Sequence, residues 1–368
     1  TSAMRVIFRT DASTHIGAGH VMRCLTLADT LRDRGAWCGF VCREHPGHLL
    51  DLIRARGHEA LALPQAAESS VTLRQGGRHS CAEWLGVDWI IDAQQTMAVM
   101  QEARPVDWLV VDHYALDERW ESLLRPYSNN LLVIDDLADR PHQCDLLLDQ
   151  NLNRRSADYD HLCSQAAGRL IGTRYALLRP DFAELRDYSF ARRNSAQLKH
   201  LLISMGGVDK DNATGALLNA FISFDLPPGL RTTVVMGPHA PWLTEVRDQA
   251  AQMRSVDVLV NAQNMAKIIA ESDLAIGAAG TSAWERCCLG LPTLALVLAE
   301  NQRGGAAALN AIGAISLLEL GPNLPHDLSL KMRELQDTKC LRKMQEACRL
   351  VCDGLGVERV VEAMHCAD

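Results

Sequence analysis

Apolar and polar positions along this chain alternate between two regimes. Short, nearly continuous apolar runs are followed by amphipathic stretches with a helical period, beginning at Arg5–Arg9, His20–Arg34, Trp37–Cys42, Gly47–Arg56 and Glu59–Pro64. That order predicts βαβαβ. Further strands are predicted at Val106–Asp112 and Asn130–Asp135, where the apolar runs are almost unbroken, as parallel strands covered on both faces require. The first part of the chain therefore reads as a doubly wound α/β domain.

The polar stretch Arg179–Gln197 carries Arg179, Arg186, Arg192 and Arg193 with little apolar periodicity, and it is expected to connect two domains. Beyond it the strand–helix alternation resumes. Strands are expected at Leu201–Met205, Thr232–Met236, Val256–Val260, Leu274–Ile276 and Thr293–Leu298, with helices from Asn212, Trp242, Met265 and Ser282. The tail Asp327–Met364 has helical spacing. The expected architecture is an N-terminal domain over 4–180, a second domain over 198–345, and a terminal helix in 346–368 that packs back toward the junction. Two such domains imply a cleft.

Composition narrows the function. Hydrophobic residues make up 48% and charged residues 22% of the 368, ordinary usage for packed domains. The net charge of -8 opposes sequence-independent binding to a polyanion, so no nucleic-acid partner is expected. The longest apolar stretches, such as Leu291–Ala299, are too short to span a bilayer, so no membrane association is expected. A cytoplasmic monomer is the expected state. Thr1, Ser2 and Ala3 are read as a remnant ahead of a native start at Met4. The twelve cysteines are scattered through apolar segments without any CxxC pair, and they read as reduced core thiols. Neither a metal nor a cofactor is expected.

Ligands of open α/β sheets bind outside the carboxyl ends of the strands, which directs attention to the loops found there. The first is Thr10–His20, in which Gly17 and Gly19 permit close backbone approach immediately before a helix. It lacks the third glycine and the acidic strand end of a dinucleotide site. His20 stands where the positive end of a helix favours a neutral, proton-accepting imidazole; it reads either as a general base or as a capping or packing residue. Asp112 and Tyr114 close another strand and read as sugar-hydroxyl partners or as turn residues, Asp112 also as a cap for the helix near Asp117. Asp135 and Asp136 read as turn or capping residues.

In the second domain two glycine loops precede helices: Ser204–Asp209, with Gly206 and Gly207, and Gly277–Ser282, with Gly280, Thr281 and Ser282. Their amides suit a pyrophosphate. Glu285 follows Ser282 by three residues and reads either as a ribose ligand or as half of a capping box. Asn301 and Gln302 offer uncharged donors after a further strand, or form a solvated turn.

Four segments, MRVIFRTDASTHIGAGHVMRCLTLAD, VVDHY, ISMGGVDKDN and GAAGTSAWERCCLGLP with the following AENQ, together resemble the UDP-2,4-diacetamido-2,4,6-trideoxy-β-L-altropyranose hydrolase family of pseudaminic acid biosynthesis. The second-domain loops alone are shared with many GT-B glycosyltransferases, so the combination carries the resemblance. It implies a GT-B fold with two Rossmann-like domains facing across a cleft, UDP held by the second domain, and inverting hydrolysis at the anomeric carbon of a UDP-sugar. Of the positions here, it implies His20 as the catalytic base. Gly206, Gly207, Gly280, Thr281 and Ser282 would contact the diphosphate, Glu285 the ribose and Met265 the uracil. Gly17, Gly19, Tyr114, Asn301 and Gln302 would line the sugar site. The segment near Ala66–Pro105 lies outside the best-matched part, and its role is open. A glycosyltransferase or a non-catalytic nucleotide-sugar binder would present the same second-domain loops.

Overall fold

The computed structural model describes residues 2–66, 82–195 and 197–367. It separates into two compact units, one reaching from the start of the chain to Leu177 and including the residues from Val357 onward, the other Leu178–Gly356. Within the described residues no helix is long and apolar enough to cross a membrane, and the cysteines are all free.

The first unit runs β1 (Arg5–Thr10), α1 (Gly19–Asp33), β2 (Trp37–Arg43), α2 (Leu50–Ala55), β3 (Glu59–Leu63), α3 (Trp89–Ala103), β4 (Trp108–Asp112), α4 (Glu118–Leu124), β5 (Asn130–Ile134), β6 (Leu146–Asp149) and β7 (Gly168–Ile171). The strands form one parallel sheet ordered β3-β2-β1-β4-β5-β6-β7, with Val6 opposite both Cys38 and Trp108. Helices on both faces bury β4 completely, which explains its unbroken apolar run. Phe8 and Phe40 stack across neighbouring strands at 4.7 Å. The strands β6 and β7 were not among the predicted ones; at four residues each they are too short to show a period.

Beneath the carboxyl ends of β1 and β2 lies a buried ionic cluster. Arg9 reaches Asp11 at 2.7 Å and Asp92 at 2.6 Å, and Arg43 reaches the same Asp92 oxygen at 2.7 Å. Trp120 Nε1 donates to Asp92 at 3.0 Å, and His113 Nε2 donates to Asp11 at 3.0 Å while its Nδ1 accepts from the Ala115 amide. These charges are satisfied on nearly every side, the condition for burying them at all.

The second unit opens with α5 (Pro180–Arg193) and continues β8 (His200–Ser204), α6 (Ala213–Ala220), β9 (Arg231–Met236), α7 (Leu243–Ala251), β10 (Val256–Val260), α8 (Met265–Glu271), β11 (Leu274–Ala278), α9 (Ser282–Cys288), β12 (Thr293–Leu296), α10 (Arg303–Ala311), β13 (Ile315–Leu318), α11 (Leu324–Glu334) and α12 (Thr338–Arg349). Its sheet is also parallel, ordered β10-β9-β8-β11-β12-β13. The stretch expected to be a polar connection is helix α5 and belongs to this unit. Pro180 starts it, Phe182 and Phe190 are buried, and its arginines serve helix ends rather than solvent. Arg186 donates to the carbonyls of Cys288 and Cys352 at 2.6 Å each, and Arg193 to those of Ile269 at 2.6 Å and Leu289 at 3.2 Å. Those carbonyls close α8 and α9 or follow α12, where a helix leaves acceptors unpaired.

The tail is helical, in three helices. After α11 and α12 comes α13 (Gly356–Cys366), whose Val357, Val360, Val361 and Met364 are buried in the core formed by β1, β2 and α1 of the first unit. The segment 66–105 is described only in part: residues 67–81 lie outside the described residues, and the remainder forms a 3₁₀ turn at Ala82–Leu85 and helix α3.

Candidate functional site

The loop after β1 is compact. Ser13 Oγ accepts from the amides of His15 and Ile16, the Ser13 carbonyl accepts from Gly17, and Gly17 adopts φ +82°. This turn delivers the chain directly into α1, whose N-terminus carries no side-chain cap. Gly19 and His20 occupy its first turn.

His20 Nδ1 lies 2.7 Å from Asp112 Oδ1. With Asp112 ionised, Nδ1 carries the proton and Nε2 is the nitrogen left to accept one. Arg23, one turn further along α1, donates to both oxygens of Asp112 at 2.6 and 2.7 Å and to both oxygens of Asp136 at 3.1 and 2.8 Å. Burial pushes the Asp112 carboxyl up, but Arg23 and His20 more than reverse this and hold it well below the usual carboxylate range. Asp136 is likewise lowered, against its own burial, chiefly by Arg23. The result is a fixed chain from Asp136 through Arg23 and Asp112 to an imidazole whose side chain keeps 11% of its exposure.

Neither carboxylate has the part the sequence suggested. Asp112 is the partner of His20 and Arg23, and the α4 cap is Asp117, which accepts from the Arg119 amide at 3.0 Å. Asp136 binds Arg23 and Tyr114, whereas Asp135 does have a turn contact, accepting from the Ala138 amide. Tyr114 is 3% exposed and gives its hydroxyl to Asp136 at 2.6 Å. Its ring stands edge-on to His20 with centroids 4.5 Å apart, so it walls the imidazole. Trp84, absent from the sequence-based candidates, stacks on Tyr114 at 5.5 Å and lies 6.5 Å from the His20 ring. That Arg23 and His20 lie on one face of α1 was detectable as an i, i+3 spacing. Trp84 left no local signal.

In the second unit, β8 and β11 are adjacent, with Ile203 opposite Ile276, so both glycine loops leave neighbouring strand ends. A Cβ on Gly277 would lie 2.7 Å from the Arg286 guanidinium and 2.9 Å from the Ser204 carbonyl, and one on Gly237 would lie 2.2 Å from the Gly207 carbonyl. Close backbone packing thus dictates glycine at both positions. Gly206, Gly207 and Thr281 are exposed.

The two loops differ in what their amides can offer. The first turn of α6 is already occupied: Asp209 accepts from Ala213 and Thr214 at 2.8 and 2.9 Å, and Asn212 accepts from Gly215 at 3.0 Å. The amides at this helix start are thus taken, and those of Gly206 and Gly207, the pair expected to meet the diphosphate, lie ahead of them. Helix α9 has no side-chain cap. Ser282 Oγ accepts from Arg286 at 3.1 Å instead of joining Glu285 in a capping box. Among the described residues the Glu285 carboxylate has no hydrogen-bond or ion-pair partner. Burial pushes it up to about 7, against the opposing charges of Arg179 and Arg286.

Gln302 accepts from the Leu298 amide at 3.0 Å, and its amide nitrogen would lie 3.1 Å from a Cβ on Gly280, which brings it beside the second glycine loop. Asn301, in the same turn, is exposed. Met265 opens α8 behind edge strand β10, with β9 and β8 intervening before β11. No group of three or more His, Cys, Asp or Glu side chains among the described residues is arranged to hold a metal ion.

No protein-family model matches the chain. It is 26% identical over 306 residues to the UDP-2,4-diacetamido-2,4,6-trideoxy-beta-L-altropyranose hydrolase of Campylobacter jejuni, a match covering 83% of this chain and 96% of that protein. It is 28% identical over 200 residues to the spore coat polysaccharide biosynthesis protein SpsG of Bacillus subtilis, covering 53% of this chain and 57% of the relative. Among solved structures, Acinetobacter baumannii MurG matches with a TM-score of 0.67 at 15% identity, covering 98% of this chain and 99% of that one. The likeness shows a GT-B fold built from two Rossmann-like units.

Proposed function

We propose that the protein hydrolyses a UDP-sugar, with UDP-2,4-diacetamido-2,4,6-trideoxy-β-L-altropyranose as the substrate its similarity to the Campylobacter jejuni enzyme favours. The observation that carries this reading is the His20–Asp112 pair, an imidazole whose one nitrogen is fixed by a carboxylate and whose other is left to take a proton. Water attacks the anomeric carbon as the bond to the phosphate oxygen breaks. Its proton passes to His20 Nε2, and UDP departs with the electron pair. The imidazolium so formed is stabilised by Asp112, which Arg23 keeps ionised and in place.

UDP is a good leaving group, so one base and a set of donors for the departing diphosphate suffice, in contrast to the two carboxylates of ordinary glycosidases. In this reading the exposed Gly206–Gly207 pair and the Gly280–Ser282 loop supply those donors. Glu285 accepts from the ribose hydroxyls, a role its lack of a hydrogen-bond partner among the described residues leaves open. The same base would serve transfer to an acceptor hydroxyl, as a glycosyltransferase of this fold would require. Incubation with the UDP-sugar in the absence of any acceptor separates the two: stoichiometric release of UDP and free sugar is expected. Release that depends on an added acceptor would overturn hydrolysis in favour of transfer.

A further inference from the structure

We infer that Trp84 forms an apolar wall of the sugar subsite beside His20 and selects for an N-acylated, deoxygenated hexose; this rests on the reading of His20 as the base of a UDP-sugar hydrolase. Trp84 is only partly buried, and its ring stacks on Tyr114 at 5.5 Å with an interplanar angle of 23°. Tyr114 is fixed by its bond to Asp136 and stands edge-on to His20 at 4.5 Å. The two rings and the imidazole thus pack ring against ring, next to the Asp112, Arg23 and Asp136 side chains that hold His20 and the Tyr114 hydroxyl.

The position of Trp84 is set by the two residues that follow it. Leu85 is buried in the core cluster of β4, α3 and α4, and Gly86 turns the chain at φ +80°, where a Cβ would lie 3.1 Å from the His45 ring. The indole is thus held near the base by its neighbours. An aromatic face favours the C–H-rich side of a sugar, and deoxygenation or an acetamido methyl enlarges that apolar area, whereas a hydroxyl set against the ring loses its hydration.

The test uses the full-length protein with His20→Asn as a background that retains bound substrate. Affinities for UDP, UDP-glucose and UDP-2,4-diacetamido-2,4,6-trideoxy-β-L-altropyranose are measured by calorimetry with and without Trp84→Ala or Trp84→Phe. The alanine variant is expected to weaken the diacetamido sugar nucleotide about tenfold, UDP-glucose less and UDP not at all, while phenylalanine restores most of the loss. In the His20 enzyme the same change should raise KM more than it lowers kcat. An unchanged preference between the two sugar nucleotides, or an equal loss for UDP itself, would overturn the inference. Acceptor-free UDP release is scored separately. If it fails while the preference still depends on Trp84, the hydrolytic reading falls and the sugar wall stands.

Discussion

His20 Nδ1 and Asp112 Oδ1 are 2.7 Å apart, although 92 residues separate them in sequence. One residue opens α1 and the other ends β4, so the parallel pairing of β1 with β4 brings them together. The bond fixes the imidazole tautomer, and it makes the following outcomes measurable.

Replacing His20 with Asn should lower kcat by about 10² to 10⁴-fold, the usual contribution of a positioned base, with UDP affinity nearly unchanged. Asp112→Asn should lower kcat by a comparable order, because a neutral amide no longer holds the proton on Nδ1. Steady-state rates and UDP calorimetry on both variants check this. A variant at either position that keeps more than about a tenth of the wild-type kcat would remove that residue from the mechanism.

Glu285 ties affinity to stability. Its carboxyl sits at about 7 in the folded protein against an ordinary value of 4.5, so the folded state holds the proton more tightly than the unfolded one. The resulting penalty is absent below about pH 4.5, grows as pH rises through 7, and is then constant. Glu285→Gln should therefore raise the Tm of the free protein at pH 8 but not at pH 4.5, by the equivalent of about 1–3 kcal/mol at the higher pH once its partial exposure is allowed for. The same variant should bind UDP more weakly, and the difference from the parent should widen between pH 6 and 8. A lower Tm at pH 8 together with unaltered UDP affinity would assign Glu285 to the fold alone.

Asp92 balances two buried guanidinium groups, those of Arg9 and Arg43. Asp92→Asn keeps the shape but leaves those charges short of a partner, and the expected loss is about 3–5 kcal/mol from the unfolding free energy of the first unit. Urea titration followed by tryptophan fluorescence measures it, and UDP binding to the second unit should persist under native conditions. A loss below about 1 kcal/mol would show that the cluster rearranges around the amide.

Much of the fold was legible because parallel strands buried on both faces leave apolar runs, as Val110–Val111 and Leu131–Ile134 do. Helix α5 was not, because its arginines point at carbonyls contributed by residues far along the chain, and a local period gives no sign of such partners. The site was legible in the same uneven way. His20 stood out through its place between a glycine loop and a helix start. Asp112 was noticed as a strand end, but its partnership with Arg23, and that of Asp136 with both Arg23 and Tyr114, depends on strand order and so lies beyond any window of sequence. The caps at Asp209 and Asn212 show the converse. Both are short-range, and together they occupy the first-turn amides of α6 while leaving the glycine pair ahead of the helix untouched.

Helix α13 gives the chain an order of assembly. Residues 178–356 form an uninterrupted unit and can condense as soon as they leave the ribosome, whereas the core behind β1, β2 and α1 must wait for Val357, Val360, Val361 and Met364. The half of the protein made first is thus the half finished last. Until residues 357–364 are added, the apolar positions they cover in this core lack those neighbours.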